Sequence, residues 1–403
     1  MKECGSPEKG LRFIHLAGTN GKGSTGAMLA SCLSSAGADV GFYTSPHLFC
    51  IRERFRVNGK AVSETVFIRA VEQLSVGVEI MKGDGASPTF FEATTVLAAL
   101  CFVGAKVDCV VWETGLGGRF DASNVVEPVC SVLTSIAMDH EDYLGNTLEK
   151  IAFEKAGIIK PNKPVFSGNV SESVAGVFKE VAANNSADLQ FVSDSFRSRS
   201  VIPVELSGNL FQKVEIDGVP FTLSLLGPVQ VENATLAYFV LKYLCSEFDL
   251  DLKRAMNGFS KVNWPGRFQI LGDGTIVDGA HNSDGARVLV ESLKKSLPGE
   301  LFTVVFGSFE DKDSRAIIET INEIADSFIF VPILSGRETC DPAALQVIAA
   351  EIDSKPSALE DSVVCGVVKA RESGRRIVVA GSLYLAGELL VSSLYNEDIL
   401  NIY

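Results

Sequence analysis

The chain has 403 residues, 46% hydrophobic and 21% charged, with a mean hydropathy of +0.22. This composition excludes global disorder, and at about 150 residues per domain the length favours two domains. Its 36 Lys and Arg residues against 50 Asp and Glu give a net charge of −14, which argues against a general nucleic-acid binder.

The N-terminus and the cysteines indicate the compartment. Residues 1–11 are charged and contain Pro7, unlike a signal peptide, and the longest apolar run, residues 93–105, is too short to span a bilayer. The nine cysteines form no Cys-x-x-Cys pair, as is typical of free thiols in a reducing cytosol. We therefore expect a cytoplasmic protein with no membrane or nucleic-acid partner.

The first half of the chain alternates apolar runs with helical patterns. Strands are predicted at residues 13–16, 40–44, 109–113, 130–137 and 164–167, and helices at 25–36, 92–104 and 148–159. This alternation predicts a parallel α/β sheet, and the glycine loop after the first strand indicates a P-loop-type ATPase domain. Residues 189–226, with turn signals at 207–209 and 217–218, predict a small antiparallel addition.

The second half repeats the alternation after a break. A helix is predicted at residues 231–245, and the Trp-Pro-Gly-Arg sequence at 264–267 then interrupts the pattern. Strands follow at 275–277, 302–306, 328–331 and 377–380, and a last helix at 383–394. We predict an ATP-binding domain at 1–263, a linker at 264–267 and a smaller Rossmann-like α/β domain at 268–403.

The glycine loop at residues 18–24 is the sharpest local signal. Its glycines let backbone N–H groups turn toward phosphate oxygens, Lys22 can neutralise phosphate charge, and the Ser24 or Thr25 hydroxyl can contact Mg²⁺. The strict P-loop pattern is not met, because Gly23 separates Lys22 from Ser24. A tight turn that needs glycine is the alternative.

Polar residues follow several predicted strands, where parallel sheets place their ligand chemistry. Glu113 and the Asp139-His140 pair follow strands of the first domain, and a carboxylate near a phosphate loop is a natural Mg²⁺ ligand. Asp278 and His281 follow a strand of the second domain. Each alone is equally well explained as a polar residue that caps a strand, and Lys155 on its helix would ordinarily be a surface charge.

Nine segments taken together resemble the folylpolyglutamate synthases and bifunctional dihydrofolate synthase/folylpolyglutamate synthases of the Mur ligase superfamily. In family order from about residue 13 to 387, they are GTNGKGS, TSPHL, RERFRVNG, TFFEATT, ETGLGGRFDASN, MDHEDYLGNTLEKIAFEKAGIIK, WPGRF, DGAHN and AGSLYLAGE. One such motif is weak, but nine in order are highly specific.

The resemblance implies an ATP- and Mg²⁺-dependent amide ligase. ATP would phosphorylate a carboxylate on a folate or on dihydropteroate, and the amine of L-glutamate would attack the resulting acyl phosphate. Two Mg²⁺ ions would stabilise the phosphate charge. We expect the enzyme to act as a monomer.

The resemblance also assigns site residues. It implies that ATP binds to Asn20, Gly21, Lys22, Gly23, Ser24, Asn233, Arg267 and Asp278. It implies metal ligands at Ser45 and Glu113 for one ion and at His140 and a carbamylated Lys155 for the other. Catalytic roles fall to Lys22, Lys155, His281 and Ser382, and pterin binding to Thr89, Phe120, Asp121 and Ala122.

One departure and two alternatives accompany this interpretation. Family members usually begin with an additional helical segment that contributes to the pterin pocket, whereas about a dozen residues precede Phe13 here. The resemblance therefore implies dihydrofolate synthase activity less directly than folylpolyglutamate synthase activity. The first alternative is a Mur-type cell-wall ligase, whose phosphate loop usually reads Gly-Lys-Thr-Thr. The second is a nucleotide-binding module without catalysis, against which the joint presence of the catalytic residue types argues.

Overall fold

The computed structural model describes residues 1–192, 199–206, 209–334 and 337–392. Its larger sheet has the strand order β4-β3-β2-β5-β1-β6-β7-β8, in which β3 pairs antiparallel with both β2 and β4 and all other neighbouring strands pair in parallel. These strands are β1 (Phe13–Ala17), β2 (Val40–Tyr43), β3 (Phe55–Val57), β4 (Lys60–Ala61), β5 (Cys109–Glu113), β6 (Pro128–Leu133), β7 (Val165–Ser167) and β8 (Leu189–Phe191).

Helices cover both faces of this sheet. They are α1 (Lys22–Ala36), α2 (Glu64–Gly83), α3 (Phe90–Ala105), α4 (Glu141–Leu144), α5 (Leu148–Ala156), α6 (Glu172–Asn184), α7 (Pro228–Glu247) and α8 (Leu252–Met256). Every residue of β1 and β5 is buried, which explains why these strands read as continuous apolar runs rather than as an alternating pattern. The α/β fold with parallel strands is therefore confirmed.

A three-stranded antiparallel sheet confirms the predicted addition, with β9 (Arg199–Leu206), β10 (Asn209–Ile216) and β11 (Val219–Leu223) in the order β11-β10-β9. Asp217 and Gly218, both with positive φ, form the predicted turn between β10 and β11. The predicted turn residues Ser207 and Gly208 lie outside the described residues. The start of the predicted addition is wrong, because β8 pairs in parallel with β7 and extends the main sheet.

The second sheet has the order β12-β13-β17-β14-β15-β16, parallel except for β12, and forms the predicted smaller α/β domain. Its strands are β12 (Gln269–Ile270), β13 (Ile276–Val277), β14 (Phe302–Phe306), β15 (Ala325–Phe330), β16 (Ser357–Leu359) and β17 (Arg376–Ala380). Its helices are α9 (Ser283–Ser296), α10 (Ser314–Ile321), α11 (Pro342–Ile352), α12 (Val363–Ala370) and α13 (Leu383–Val391). The predicted end of the last helix at residue 394 lies outside the described residues.

Two predicted boundaries are wrong at the edge where ligands are expected. Strand β6 ends at Leu133 rather than at residue 137, because the Thr134 and Ser135 hydroxyls then donate hydrogen bonds to the Asn20 carbonyl, at 2.7 and 3.1 Å. Helix α1 begins at Lys22 rather than at Thr25, so half of the glycine loop is its first turn.

Within the described ranges, no helix combines the length and hydrophobicity needed to cross a bilayer.

Candidate active site

A cleft between the two domains collects most of the predicted site residues. Its cavity has a volume of about 670 Å³ and lies beyond the carboxyl ends of β1, β5 and β13. Thirteen predicted residues line it: Asn20, Gly21, Lys22, Gly23, Ser24, Ser45, Glu113, His140, Lys155, Asn233, Arg267, Asp278 and His281. The topology therefore brings together residues that are more than 250 positions apart in the sequence.

The glycine loop is shaped by close neighbours that exclude side chains. Gly21 is the N-cap of α1, with φ of 85°, and no side chain caps this helix. A Cβ on Gly21 would lie 2.5 Å from Asn233 Oδ1, and one on Gly18 would clash with the Thr134 hydroxyl. The first N–H groups of α1 are thus left for a ligand, and an uncapped helix N-terminus in a cleft favours an anion.

Two lysine amines share one carbonyl acceptor in this loop. Lys22 Nζ and Lys155 Nζ each donate to the Gly18 carbonyl at 2.8 Å, and Lys155 is only 5% exposed. Burial lowers the pKa of Lys22, and burial together with the charge of Lys22 lowers the pKa of Lys155 to about 7. The expectation that a lysine on this helix is a solvent-exposed charge is therefore wrong for Lys155.

Glu113 ends β5 as a buried carboxylate, 4% exposed. The Thr44 hydroxyl donates to it, and so does the backbone N–H of Ser45. Burial raises the pKa of Glu113, while the charge of Lys22 opposes this rise. The carboxylate thus stands opposite the lysine that is expected to bind phosphate.

The donor set at this edge fits Mg²⁺. Glu113 lines the cleft together with the hydroxyl-bearing residues Ser24 and Ser45. The Thr25 hydroxyl, by contrast, has no hydrogen-bond partner in the part of the chain that the structure describes, but it is fully buried and does not line the cleft. No three His, Cys, Asp or Glu side chains among the described residues lie close enough to hold a metal by themselves. Mg²⁺ ordinarily keeps several waters and binds one or two carboxylates together with substrate phosphates, so Glu113 with hydroxyl ligands is sufficient.

His140 lies at the outer end of the cleft in the left-handed region, with φ of 51°. Its Nε2 is 3.9 Å from Asp139 Oδ2. Burial lowers the pKa of His140, with the Asp139 charge opposing the shift, so the imidazole is neutral at pH 7 and can act as a ligand. Asp139 itself accepts hydrogen bonds from Lys312 Nζ at 3.2 Å and Asn282 Nδ2 at 3.3 Å, both from the second domain.

Sequence reasoning did not single out these partners. Asn20 Nδ2 also donates to Asp284 Oδ2 at 2.8 Å across the cleft. The only signals in the sequence were the polar residues that follow β13 and β14, and their contact with the first domain is a property of the tertiary structure alone. Direct hydrogen bonds thus join the two domains beside the glycine loop.

The second domain contributes Asp278 and His281, and the predicted linker before it contributes Arg267. The Asp278 oxygens accept hydrogen bonds from the N–H groups of Phe268, at 2.7 Å, and Ala280, at 2.8 Å. Burial raises the pKa of Asp278 and the nearby Arg267 charge opposes this. Burial, with the charges of Arg267 and Lys312, lowers the pKa of His281 to about 4, so its imidazole is neutral at pH 7.

Ser382 is not among the residues that line the cleft. It is 1% exposed and caps α13, where its Oγ accepts a hydrogen bond from the Tyr384 N–H at 3.1 Å. Its neighbour Leu383 does line the cavity, so the serine lies directly behind the wall. The catalytic role of Ser382 stays a prediction.

The four predicted pterin-binding residues meet in a second cavity of about 380 Å³. It is lined by Thr89, Phe120, Asp121 and Ala122, together with Phe91, Glu92, Leu116, Gly117, Gly118, Tyr143, Leu144 and Glu154. Leu116, Gly117 and Leu144 line the interdomain cleft as well, so the two cavities share a wall. Thr89 and Asp121 also have local tasks, since Thr89 forms a capping box with Glu92 and Asp121 accepts the N–H groups of Leu116 and Ser123.

Comparisons with known proteins agree with this architecture. The family described as the Mur ligase middle domain matches residues 16–241, and the Mur ligase glutamate ligase domain matches residues 266–383. A dihydrofolate synthase/folylpolyglutamate synthase of Bacillus subtilis is 35% identical over 400 residues, which cover 96% of this chain and 92% of that one.

Two solved structures are similar along nearly the whole chain. A Mycobacterium tuberculosis folylpolyglutamate synthase complexed with ADP has a TM-score of 0.87 at 28% identity, covering 96% of this chain and 92% of its own. Escherichia coli FolC in complex with DHPP and ADP has a TM-score of 0.81 at 29% identity, covering 96% and 90%. The chain therefore belongs to the folylpolyglutamate synthase/dihydrofolate synthase family of the Mur ligase superfamily, as its motifs predicted.

Proposed function

We propose that this chain is an ATP-dependent ligase that joins L-glutamate to the carboxylate of a folate, and that it also accepts dihydropteroate. One observation carries the proposal: a glycine loop with the half-buried Lys22 and the buried Lys155 faces linker residue Arg267 and second-domain residues Asp278 and His281 across one cleft. The Bacillus relative, named for both activities and similar over 96% of this chain, supports the pair of acceptors.

The chemistry needs an activated carboxylate, because a free carboxylate is a poor electrophile. A substrate carboxylate oxygen attacks the γ-phosphorus of ATP, which gives an acyl phosphate and releases ADP. The glutamate amine then attacks the acyl carbon, phosphate leaves with the bonding electron pair, and the nitrogen loses a proton to give the amide. In this chain the N–H groups at the start of α1 and the Lys22 ammonium would bind the phosphates.

Mg²⁺, when bound, would neutralise phosphate charge in both steps. Ser45 and Glu113 would hold one ion, and His140 with a carbamylated Lys155 would hold the second. A carbamate forms when a neutral lysine nitrogen attacks CO₂ and loses a proton, and burial favours the neutral amine at Lys155. The carbamate nitrogen would keep one N–H, which could still donate to the Gly18 carbonyl, and the carbamate oxygens would be the metal ligands.

His281 would orient the incoming amine. Its Nδ1 lies 3.1 Å from the Gly279 carbonyl, which favours the tautomer protonated at Nδ1. The unprotonated Nε2 is then left to accept a hydrogen bond from the glutamate nitrogen. Arg267, which also lines the cleft, would bind phosphate oxygens as the domains close.

The test measures ADP release with L-glutamate and one acceptor at a time. We expect turnover with tetrahydrofolate and with dihydropteroate, and none when the acceptor or glutamate is omitted. Turnover only with a nucleotide-linked muramyl substrate would identify a cell-wall ligase, and ATP binding without turnover on any acceptor would identify an inactive module. Turnover with tetrahydrofolate alone would restrict the enzyme to the folylpolyglutamate synthase activity.

Three smaller proposals accompany this function. The domains are proposed to span 1–263 and 268–403 around the 264–267 linker, supported by one hydrophobic core built from the first span and a second built from the second span with Leu226 as its only first-span member among the described residues. A cytoplasmic location is supported by the nine cysteines, all free thiols. The monomeric state stays a prediction, to be measured by light scattering.

A further inference from the structure

The loop that follows β5 carries an aromatic side chain whose exposure needs an explanation. Phe120 is 82% exposed although it lines the second cavity beside Thr89 and Asp121. A large aromatic side chain at a cavity normally needs a packing partner to keep one orientation. The adjacent arginine, Arg119, supplies that partner.

The exposed side chain of Arg119 is held by one carboxylate and two aromatic rings. Its guanidinium donates two hydrogen bonds to the Glu154 carboxylate, from Nη2 at 2.6 Å and Nε at 3.3 Å. Its Cζ lies 4.3 Å from the centre of the Phe120 ring and 4.9 Å from that of Phe153. A planar guanidinium can form a two-pronged ion pair and stack on aromatic faces at once, which a lysine ammonium cannot do.

The backbone beneath Arg119 is fixed to the end of α5. The Arg119 N–H donates to the Glu154 carbonyl at 2.7 Å. A Cβ on Gly118 would lie 2.8 Å from the carbonyl oxygens of Glu154 and Lys155, and one on Gly157 would clash with Arg119. The loop thus rests directly on the helix turn that bears Lys155, and the Arg119 side chain extends from a rigid base.

We propose that Arg119 is a positioning residue that stacks on Phe120 and holds its ring as a wall of the folate-substrate pocket, with Glu154 fixing the guanidinium. This inference rests on the proposed function and deepens it, because it assigns substrate affinity to a pair of residues that do not touch the phosphates. Arg119 acts through Phe120, so its loss affects the affinity for the pterin substrate and not the affinity for ATP or glutamate.

The test is the full-length enzyme with Arg119→Ala, Arg119→Lys and Glu154→Gln. We expect the KM for dihydropteroate or tetrahydrofolate to rise about three- to tenfold in Arg119→Ala, with KM for ATP and glutamate within twofold of wild type. Arg119→Lys should resemble the alanine variant, and Glu154→Gln should show a smaller rise. Arg375→Ala is the matched control, since Arg375 pairs with Asp326 at 3.1 Å on the second domain at similar exposure and away from both cavities.

A double-mutant cycle identifies the route of the effect. If Arg119 acts through Phe120, then Arg119→Ala adds little to the KM increase already caused by Phe120→Leu. Fully additive effects, an unchanged pterin KM in Arg119→Ala, or a joint shift of all three KM values with Tm would overturn the proposal. Absence of acceptor-dependent ADP release in the wild type would instead overturn the proposed function and this inference with it.

Discussion

The two strand edges that face each other across the cleft present different polar groups to a ligand. The edge of the first domain presents backbone N–H groups, two lysines that share one carbonyl and a buried carboxylate at the end of β5. The edge of the second domain presents Asp278, whose oxygens are already occupied by backbone N–H groups, and a neutral imidazole. The N–H groups and the Lys22 charge of the first edge can therefore interact with an anionic ligand. At the second edge, the Asp278 oxygens already accept hydrogen bonds from the protein.

This difference indicates that the two edges have different roles in binding the substrates. Lys22 is a half-buried cation whose pKa is lowered by burial, so an anion beside it would stabilise its charge, and we expect the first edge to bind phosphate. The polar groups of the second edge are held by hydrogen bonds to the backbone, which suits them to orienting reactants. Hydrogen bonds from Asn20 to Asp284 and from Lys312 to Asp139 hold the two edges together. Substitutions at the first edge should therefore have the larger effects on ATP use.

Lys22→Ala is the most direct test of whether the first edge binds the phosphates of ATP. Lys22 is the loop cation, and losing a charge-assisted contact to phosphate costs about 1.5–3 kcal/mol, so we expect kcat/KM for ATP to fall by about 10- to 10²-fold or more. Lys155 keeps its hydrogen bond to the Gly18 carbonyl, so the fold should persist. Steady-state ADP release and circular dichroism measure the two outcomes, and normal ATP turnover in a folded variant contradicts the phosphate-loop assignment.

Lys155→Ala tests the carbamate at the same edge. We expect activity to fall by at least about tenfold, and acetate or formate to restore part of it by supplying a carboxylate in the vacated space. Lys155→Arg should remain inactive, because a guanidinium cannot form the oxygen ligand. A carbon-13 signal for the adduct in labelled bicarbonate is the direct measurement, and its absence together with a fully active Lys155→Ala contradicts the prediction.

These two lysines also show where sequence reasoning succeeds and where it ends. The glycine loop predicted Lys22 from local chemistry alone, and the apolar runs predicted the strands whose ends carry Glu113 and Asp278. Burial of Lys155 depends on α5 packing its last turn against the loop after β5, which no local pattern contains. The motif resemblance supplied that residue, and neither route supplied Lys312 or Asp284, whose partners lie in the other domain.

Asp278→Asn is the matching test at the second edge. Each Asp278 oxygen accepts one backbone N–H, and an amide can replace only one of these acceptors. We expect ligation to fall by about tenfold and Tm to fall by several degrees, a smaller loss of activity than for Lys22→Ala. If isolated residues 1–263 ligated glutamate at the full-length rate, the second edge would have no role.

The pH dependence of stability tests the burial of Lys155 independently of activity. Its pKa is about 7 in the folded protein against 10.5 in the unfolded chain, so the unfolded state binds more protons between these values and stability rises with pH across that window. Lys155→Met should remove this slope and be the more stable protein near pH 7 in CO₂-free buffer. Lys150→Met, on the exposed side of the same helix, should keep the wild-type slope in urea titrations.

Ser382→Ala should have the smallest effect, and it separates a structural task from a chemical one. Removing a serine N-cap costs about 1 kcal/mol, and Ser362→Ala, which removes the cap of α12, is the matched control away from the cleft. We expect equal losses of stability in the two variants. The Ser382 oxygen accepts the Tyr384 N–H and still carries a proton that it can donate, so only Ser382→Ala should also raise the KM for glutamate, by about two- to fivefold if one neutral hydrogen bond is lost. An unchanged glutamate KM would leave Ser382 as a helix cap and confine the chemistry of the second edge to Asp278, His281 and Arg267.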